Sequence, residues 1–341
     1  MGRIQRIRER QLAASRTRLS VLVQASLLGS ISVAALVGFA PAATARSSGG
    51  TWTGGAPVVF ADDGSLWEVD ASGQHRRLVD RPPPGYRDEN ASLADRAKLI
   101  MFQRVGSPDR TYLIDWPGRH IREVPNVEGT ELGQGDSFSL SADGQLVAFD
   151  SRSPSIGGIF IRSATGGRTT TLRRSSHADT FGSPEFSEDG RQLVFIELKN
   201  IGGQNWRQSL EIMNTNGTGL RSIYSLLASG PVAPLGPPTP RIQTPSFSPN
   251  GHQIVFTLFP EDARTATVSD HIVSVDGSKD HVITSTTSSR RQLTARFSPD
   301  GRHISFQQSG TDPEGRGPIV IANADGSHRH TVVQFARLLD W

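Results

Sequence analysis

The chain of 341 residues contains no cysteine. That absence excludes a disulfide framework, a thiolate metal site, a cysteine nucleophile and a lipid-modified N-terminal cysteine, so packing and hydrogen bonds must hold the fold together. Helical signals are equally scarce, and no helix of useful length is expected beyond residue 45. Motifs that need a helix have nowhere to stand: there is no HExxH pair, no P-loop and no dinucleotide fingerprint. Charge of one sign is missing too, once the chain is divided. Residues 1–45 hold six arginines against one glutamate, and taking them from the 36 basic and 33 acidic residues of the chain leaves 30 and 32. A near-neutral remainder lacks the basic footprint of a nucleic-acid binder, so no nucleic-acid partner is expected.

Those first 45 residues read as a targeting element. Arginines run through Arg18, an uncharged stretch follows from Leu19 to Ala40, and Ala43 and Ala45 occupy small-residue cleavage positions. We read residues 1–45 as a signal peptide cleaved after Ala45. An uncleaved signal anchor is the alternative, because the apolar stretch reaches the roughly 20 residues needed to span a bilayer. Either fate places the rest of the chain outside the cytoplasm, whether secreted, periplasmic or membrane-anchored. Membrane contact is expected only through this segment if it is retained. Residues 46–56, rich in Gly, Ser and Thr, read as a flexible spacer.

What the chain does have is a recurring phrase: LADRAKLIMF at 93–102, LSADGQLVAF at 140–149, FSEDGRQLVF at 186–195, FSPNGHQIVF at 247–256 and FSPDGRHISF at 297–306. Each is an apolar residue, a polar turn and an alternating strand ending in phenylalanine. A second hairpin signal stands at Gly73, ahead of the first phrase, and follows each of the five phrases after a loop of variable length, at Gly118, Gly166, Gly217, Gly277 and Gly326. A strand-only repeat of roughly fifty residues is the signature of propeller blades. The first copy starts directly at PVVF, 57–60, without an inner strand, while ARLLDW at 336–341 looks like the start of one more phrase. Its pairing with the first blade would remove exposed sheet edges.

The F-S-P-D-G-x-x-I-x-F phrase and the D-G-x-x-x-x-L-T hairpin resemble the TolB-like, WD-like propeller repeat family over residues 57–341. The expectation is an all-β fold, a six-bladed β-propeller closed by a C-terminal strand that completes the first blade. The resemblance is to the propeller portion alone, since no α/β domain stands in front of it, and this blade type serves scaffolds, peptidase gates and a few lyases.

Chemistry is sparse. The aspartate of the first turn (Asp143, Asp189, Asp300, with Asn250 in one copy) repeats as a turn residue would, bonding its own backbone. Nine histidines are scattered, and His328 and His330, two apart beyond a hairpin turn, read as structural, so no metal and no cofactor is expected. Glu185, Arg296 and Asp340 share one repeat position, just before the apolar residue that opens each phrase.

Loop length is the informative asymmetry. If strands run A to D outward in each blade, the tight A–B and C–D turns gather on one face, and the long B–C and D–A segments gather on the other. Long loops on a rigid scaffold are where function concentrates. On that face Tyr86 and Trp206 are aromatics in polar loops, suited to anchoring an interface. Arg173, Arg174, Arg290 and Arg291, with His177 nearby in sequence, are candidates for a cationic mouth that takes a carboxylate or phosphate. No catalytic residue is assigned. The expected function is a non-enzymatic extracytoplasmic binding module for a protein, peptide or cell-envelope component. A propeller-type lyase or hydrolase of polysaccharide or peptide at the central channel is the alternative, and a membrane-anchored sensor domain is a third reading.

Overall fold

The computed structural model describes residues 56–116, 120–125, 137–151, 157–176, 178–229, 240–259, 268–286, 292–308, 312 and 315–341. They form strands and turns without an α-helix, so no described helix is long and apolar enough to cross a membrane. The first group is β1 (Val58–Asp62), β2 (Ser65–Val69) and β3 (Arg77–Asp80). The second is β4 (Arg87–Ala94), β5 (Leu99–Val105), β6 (Arg110–Asp115) and β7 (Ile121–Glu123). The third is β8 (Phe138–Leu140), β9 (Leu146–Ser151), β10 (Gly158–Ser163) and β11 (Thr170–Arg174). Next come β12 (Asp179–Phe186), β13 (Gln192–Gly202), β14 (Asn205–Asn214) and β15 (Arg221–Ser229). Then follow β16 (Arg241–Phe247), β17 (Gln253–Phe259), β18 (Val268–Ser274) and β19 (His281–Thr286), and last β20 (Gln292–Phe297), β21 (His303–Gln308), β22 (Gly317–Asn323) and β23 (His330–Asp340).

The expectation of a six-bladed propeller is corrected here. The described strands make four four-stranded sheets, β4–β7, β8–β11, β12–β15 and β16–β19, and one seven-stranded sheet in the order β20-β21-β22-β23-β1-β2-β3. The fusion has a local cause. Nothing between Val333 and Leu338 breaks a strand, so β23 runs through 11 residues. Its first half pairs with β22 (Ile319↔Val333) and its second with β1 (Phe60↔Leu338, Val59↔Asp340). The C-terminal residues therefore do pair with the first strand, but as the continuation of an outer strand and not as a separate strand. The wide sheet folds over its own cluster, in which Val58, Phe60 and Val69 pack with Ile319, Ile321, Val333 and Trp341. Trp341 is buried there, and its indole Nε1 donates to the Ala56 carbonyl at 3.0 Å.

Elsewhere the core lies between neighbouring sheets, because alternating residues of each strand face opposite neighbours. On β9, Val147 and Phe149 face the β4–β7 sheet while Ala148 faces β12–β15. Phe60, Phe102, Phe149, Phe195, Phe256 and Phe306, one per repeat, are fully buried. The innermost strands meet in succession: β4 beside β8, β8 beside β12, β12 beside β16, β16 beside β20, with the end of β23 touching both β20 and β4.

The first turn repeats nearly atom for atom. Ser187 Oγ donates to Asp189 Oδ1 at 2.6 Å and accepts from Gln192 N at 3.0 Å, while Arg191 N donates to Asp189 Oδ1 at 3.0 Å. Ser141 with Asp143, Ser248 with Asn250 and Ser298 with Asp300 do the same. The aspartates are spent on the turn, and the Ser187 hydroxyl and the Arg191 amide hold Asp189 below the usual carboxylate range. In the second turn glycine is required twice over. Gly326 has φ +80°, and a Cβ there would stand 2.2 Å from the Ile283 carbonyl oxygen of the neighbouring sheet.

Candidate functional site

The inner strands carry bulges. Asn90, Ser183, Thr244 and Thr294 adopt left-handed φ of 48°, 53°, 47° and 58°, at corresponding bulged positions of β4, β12, β16 and β20. A bulge frees backbone groups that need partners. Buried glutamines supply them: Gln208 Oε1 accepts from Ile242 N at 2.7 Å, and Gln307 Oε1 accepts from Leu338 N at 2.9 Å.

Beyond each bulge, the residue before the opening apolar side chain turns toward the axis. Ser92 Oγ accepts from Leu140 N at 2.9 Å, Ser139 Oγ from Phe186 N at 3.2 Å, and Asp340 Oδ2 from Leu93 N at 2.7 Å, so side chains of one strand cap the amides of the next. The same ring brings Glu185, Arg296 and Asp340 together. Arg296 Nε donates to Asp340 Oδ1 at 3.2 Å, and its Nη1 donates to the Thr244 and Ala295 carbonyls at 3.2 and 3.1 Å. Burial pushes the Glu185 carboxyl up to about 8 despite the nearby Arg296 guanidinium, with the Asp340 charge adding to the rise. Burial likewise raises Asp340. The central space bounded by Asp95, Glu185, Glu188 and Asp340 measures only about 70 Å³. Three of these four carboxylates pair with cations: Asp340 with Arg296, Glu188 with Arg96 at 2.9 Å and Asp95 with Lys98 at 2.7 Å. Among the described residues no three His, Asp or Glu side chains are grouped to hold a metal.

The opposite face opens beside the first repeat. β1 and β2 are joined by Asp63 and Gly64 alone, both with positive φ (51° and 70°), the pattern of a tight hairpin. Two cavities flank this turn. One, of about 320 Å³, is lined by Asp63, Arg87, Asp88, Glu89, Arg316 and Arg337. The other, of about 480 Å³, is lined by Asp62, Asp63, Trp67, Arg81, the run Pro82–Pro84 and Tyr86. In the first, Glu89 pairs with Arg87 and with Arg337 at 3.3 Å, and Arg316 pairs with Asp312 at 3.2 Å while stacking over Phe335. At its floor, burial raises Asp88 to about 7 against the pull of Arg104, whose Nε donates to it at 2.8 Å.

The residues singled out by sequence fall in different places. Tyr86 lines the larger cavity; its hydroxyl donates to the Ser107 carbonyl at 2.9 Å and its ring lies directly against Gly106. Trp206 sits on β14 opposite Asn200 and Ala228. The segment ELKNIGGQNWRQ is thus no loop: β13 and β14 run on and turn at Gly202 and Gly203, a pair of positive-φ glycines suited to that hairpin. Arg173 and Arg174 lie on β11, the outermost strand of its sheet, with the Arg173 guanidinium 5.2 Å from the Phe181 ring centre. The structure does not bring Tyr86, Trp206 and the Arg173–Arg174 pair into one site. His177, Arg290 and Arg291 lie outside the described residues, as does the N-terminal segment. Sequence reasoning missed Asp63 and Trp67; the signal was the Asp63–Gly64 pair between two short apolar strands, the mark of a tight hairpin.

No protein-family model and no curated protein matches the chain. Solved structures do. A putative TolB from Agrobacterium tumefaciens superposes with a TM-score of 0.61 at 17% identity, covering 84% of this chain and 94% of that one. The fold is TolB-like. TolB from Acinetobacter baumannii gives 0.58 at 16% identity over 82% of this chain and 63% of its own, and a chain of a nidogen/laminin complex gives 0.58 at 9% identity over 84% and 99%. Identities this low carry the TolB-like fold and nothing about chemistry.

Proposed function

We propose that this TolB-like propeller is an extracytoplasmic, non-enzymatic binding module that recognises a protein or peptide through the face bearing the B–C and D–A connections. The observation that supports it is the difference in free space. Cavities of about 320 and 480 Å³ open on that face, within the range of ligand sites, whereas the space at the axis among Asp95, Glu185, Glu188 and Asp340 is about 70 Å³ and three of those four carboxylates are paired. The same difference weighs against a lyase or hydrolase centre at the axis, which would need room for a sugar or peptide. A structural relative solved in a nidogen/laminin complex supports a protein partner in general. The export-type sequence of residues 1–45 supports the extracytoplasmic placement.

Photo-crosslinking tests this reading. A photoreactive residue replacing exposed Arg81 on the cavity face should trap a partner from the cell envelope, and one replacing exposed Arg191 on the tight-turn face should not. Crosslinks from Arg191 alone would overturn it.

A further inference from the structure

The larger cavity has a chemistry of its own, and an inference from it rests on the binding-module reading above. Its wall is apolar and rigid: Trp67 is half-buried, Pro82 and Pro84 fix the backbone beside it, and Tyr86 is anchored through its hydroxyl to the Ser107 carbonyl. Its charges are unequal in their commitments. Asp62 is paired with Arg76. Asp63 is exposed, holds a left-handed φ of 51°, and has no hydrogen-bond or ion-pair partner among the described residues. Asp63 also stands on the ridge shared by the two cavities.

The protein already displays how this wall receives a cation. The Arg76 guanidinium lies 4.4 Å from the Trp67 ring centre and 5.1 Å from that of Phe60 while it pairs with Asp62. An aromatic face beside a carboxylate is the arrangement that attracts a guanidinium or ammonium, and it gains strength when partly shielded from water. Asp63 repeats the carboxylate half of that pairing with no cation in place, next to Trp67 and Tyr86.

We propose that the cleft beside the Asp63–Gly64 turn binds a peptide segment of the partner through a basic side chain, which pairs with Asp63 and packs on the Trp67, Tyr86 and proline wall. Arg81, on the same rim, is a cation that competes with the incoming one.

The test is fluorescence polarisation on the full chain. The probe is a fluorescein-labelled alanine peptide with one central arginine, compared with versions carrying citrulline or glutamate there. The arginine peptide should bind at least tenfold more tightly than the citrulline peptide. Asp63→Asn should erase that difference without moving Tm, since asparagine tolerates the left-handed turn conformation. Arg81→Ala should strengthen binding, and Asp276→Asn, on an exposed turn of the other face, should leave it unchanged. Tightest binding by the glutamate peptide, or arginine binding indifferent to Asp63→Asn, would overturn the proposal. So would failure of every peptide to bind. In that last case crosslinks from Arg81 would still uphold the face assignment, whereas crosslinks from Arg191 alone would remove the face assignment itself.

Discussion

The two faces of this molecule are built from the same repeats and differ in what their polar groups are doing. On the tight-turn face the serine and aspartate of the repeated turn are bound to their own backbone, as Ser187 and Asp189 are, and at the axis Asp340 pairs with Arg296. On the other face the two-residue Asp63–Gly64 connection is flanked by two cavities, and Asp63 is exposed between them. The repeated turn thus ties down the first face, and recognition is proposed for the second. Substitutions on the first face should be read in Tm, and those on the second in binding.

The largest expected effect comes from removing Arg337–Trp341. That takes away the partner of β1, the cap on Leu93 N and the buried indole, so the cooperative thermal transition should be lost or fall steeply, as followed by circular dichroism. Next is Phe306→Ala or Phe195→Ala, each opening a cavity between sheets and costing roughly 3–5 kcal/mol in denaturant unfolding. Partner binding measured well below the new Tm should be retained. Ser187→Ala in the repeated turn should cost about 1 kcal/mol, the worth of a typical intramolecular hydrogen bond.

A smaller, pH-dependent effect belongs to the axis. Because burial raises Glu185 from 4.5 to about 8, the folded protein holds that proton more tightly than the unfolded chain across this window, and stability falls as pH rises through it. Asp270, raised by burial to about 6, adds a fall of the same sign at lower pH. Glu185→Gln should flatten the Tm–pH curve, raising Tm by a few degrees at pH 8 and changing it little near pH 4. A steeper decline in the variant would show that the Arg296 interaction outweighs burial.

The repeat was legible in the sequence because its information is local. Turn serine, aspartate and glycine and the phenylalanine nine residues on set each hairpin without reference to the rest of the chain, and the shared position of Glu185, Arg296 and Asp340 followed from that register. What was not legible depended on distance or on an absence. The seven-stranded sheet arises because nothing interrupts β23, and the hairpin at Gly202–Gly203 was hidden by a polar segment that looks like loop. Arg173 and Arg174 read as central only until strand order placed β11 at the rim. The smaller cavity draws Arg87, Arg316 and Arg337 from segments far apart in the chain, and no single-sequence pattern announces such a meeting.

The central claim, that one face is structural and the other recognises a partner, is tested most directly by side-chain footprinting of the protein with and without its crosslinked partner. The account predicts protection of Trp67, Pro82 and Tyr86, with no change at His252 and His303 beside the tight turns. Protection confined to His252 and His303 would contradict it.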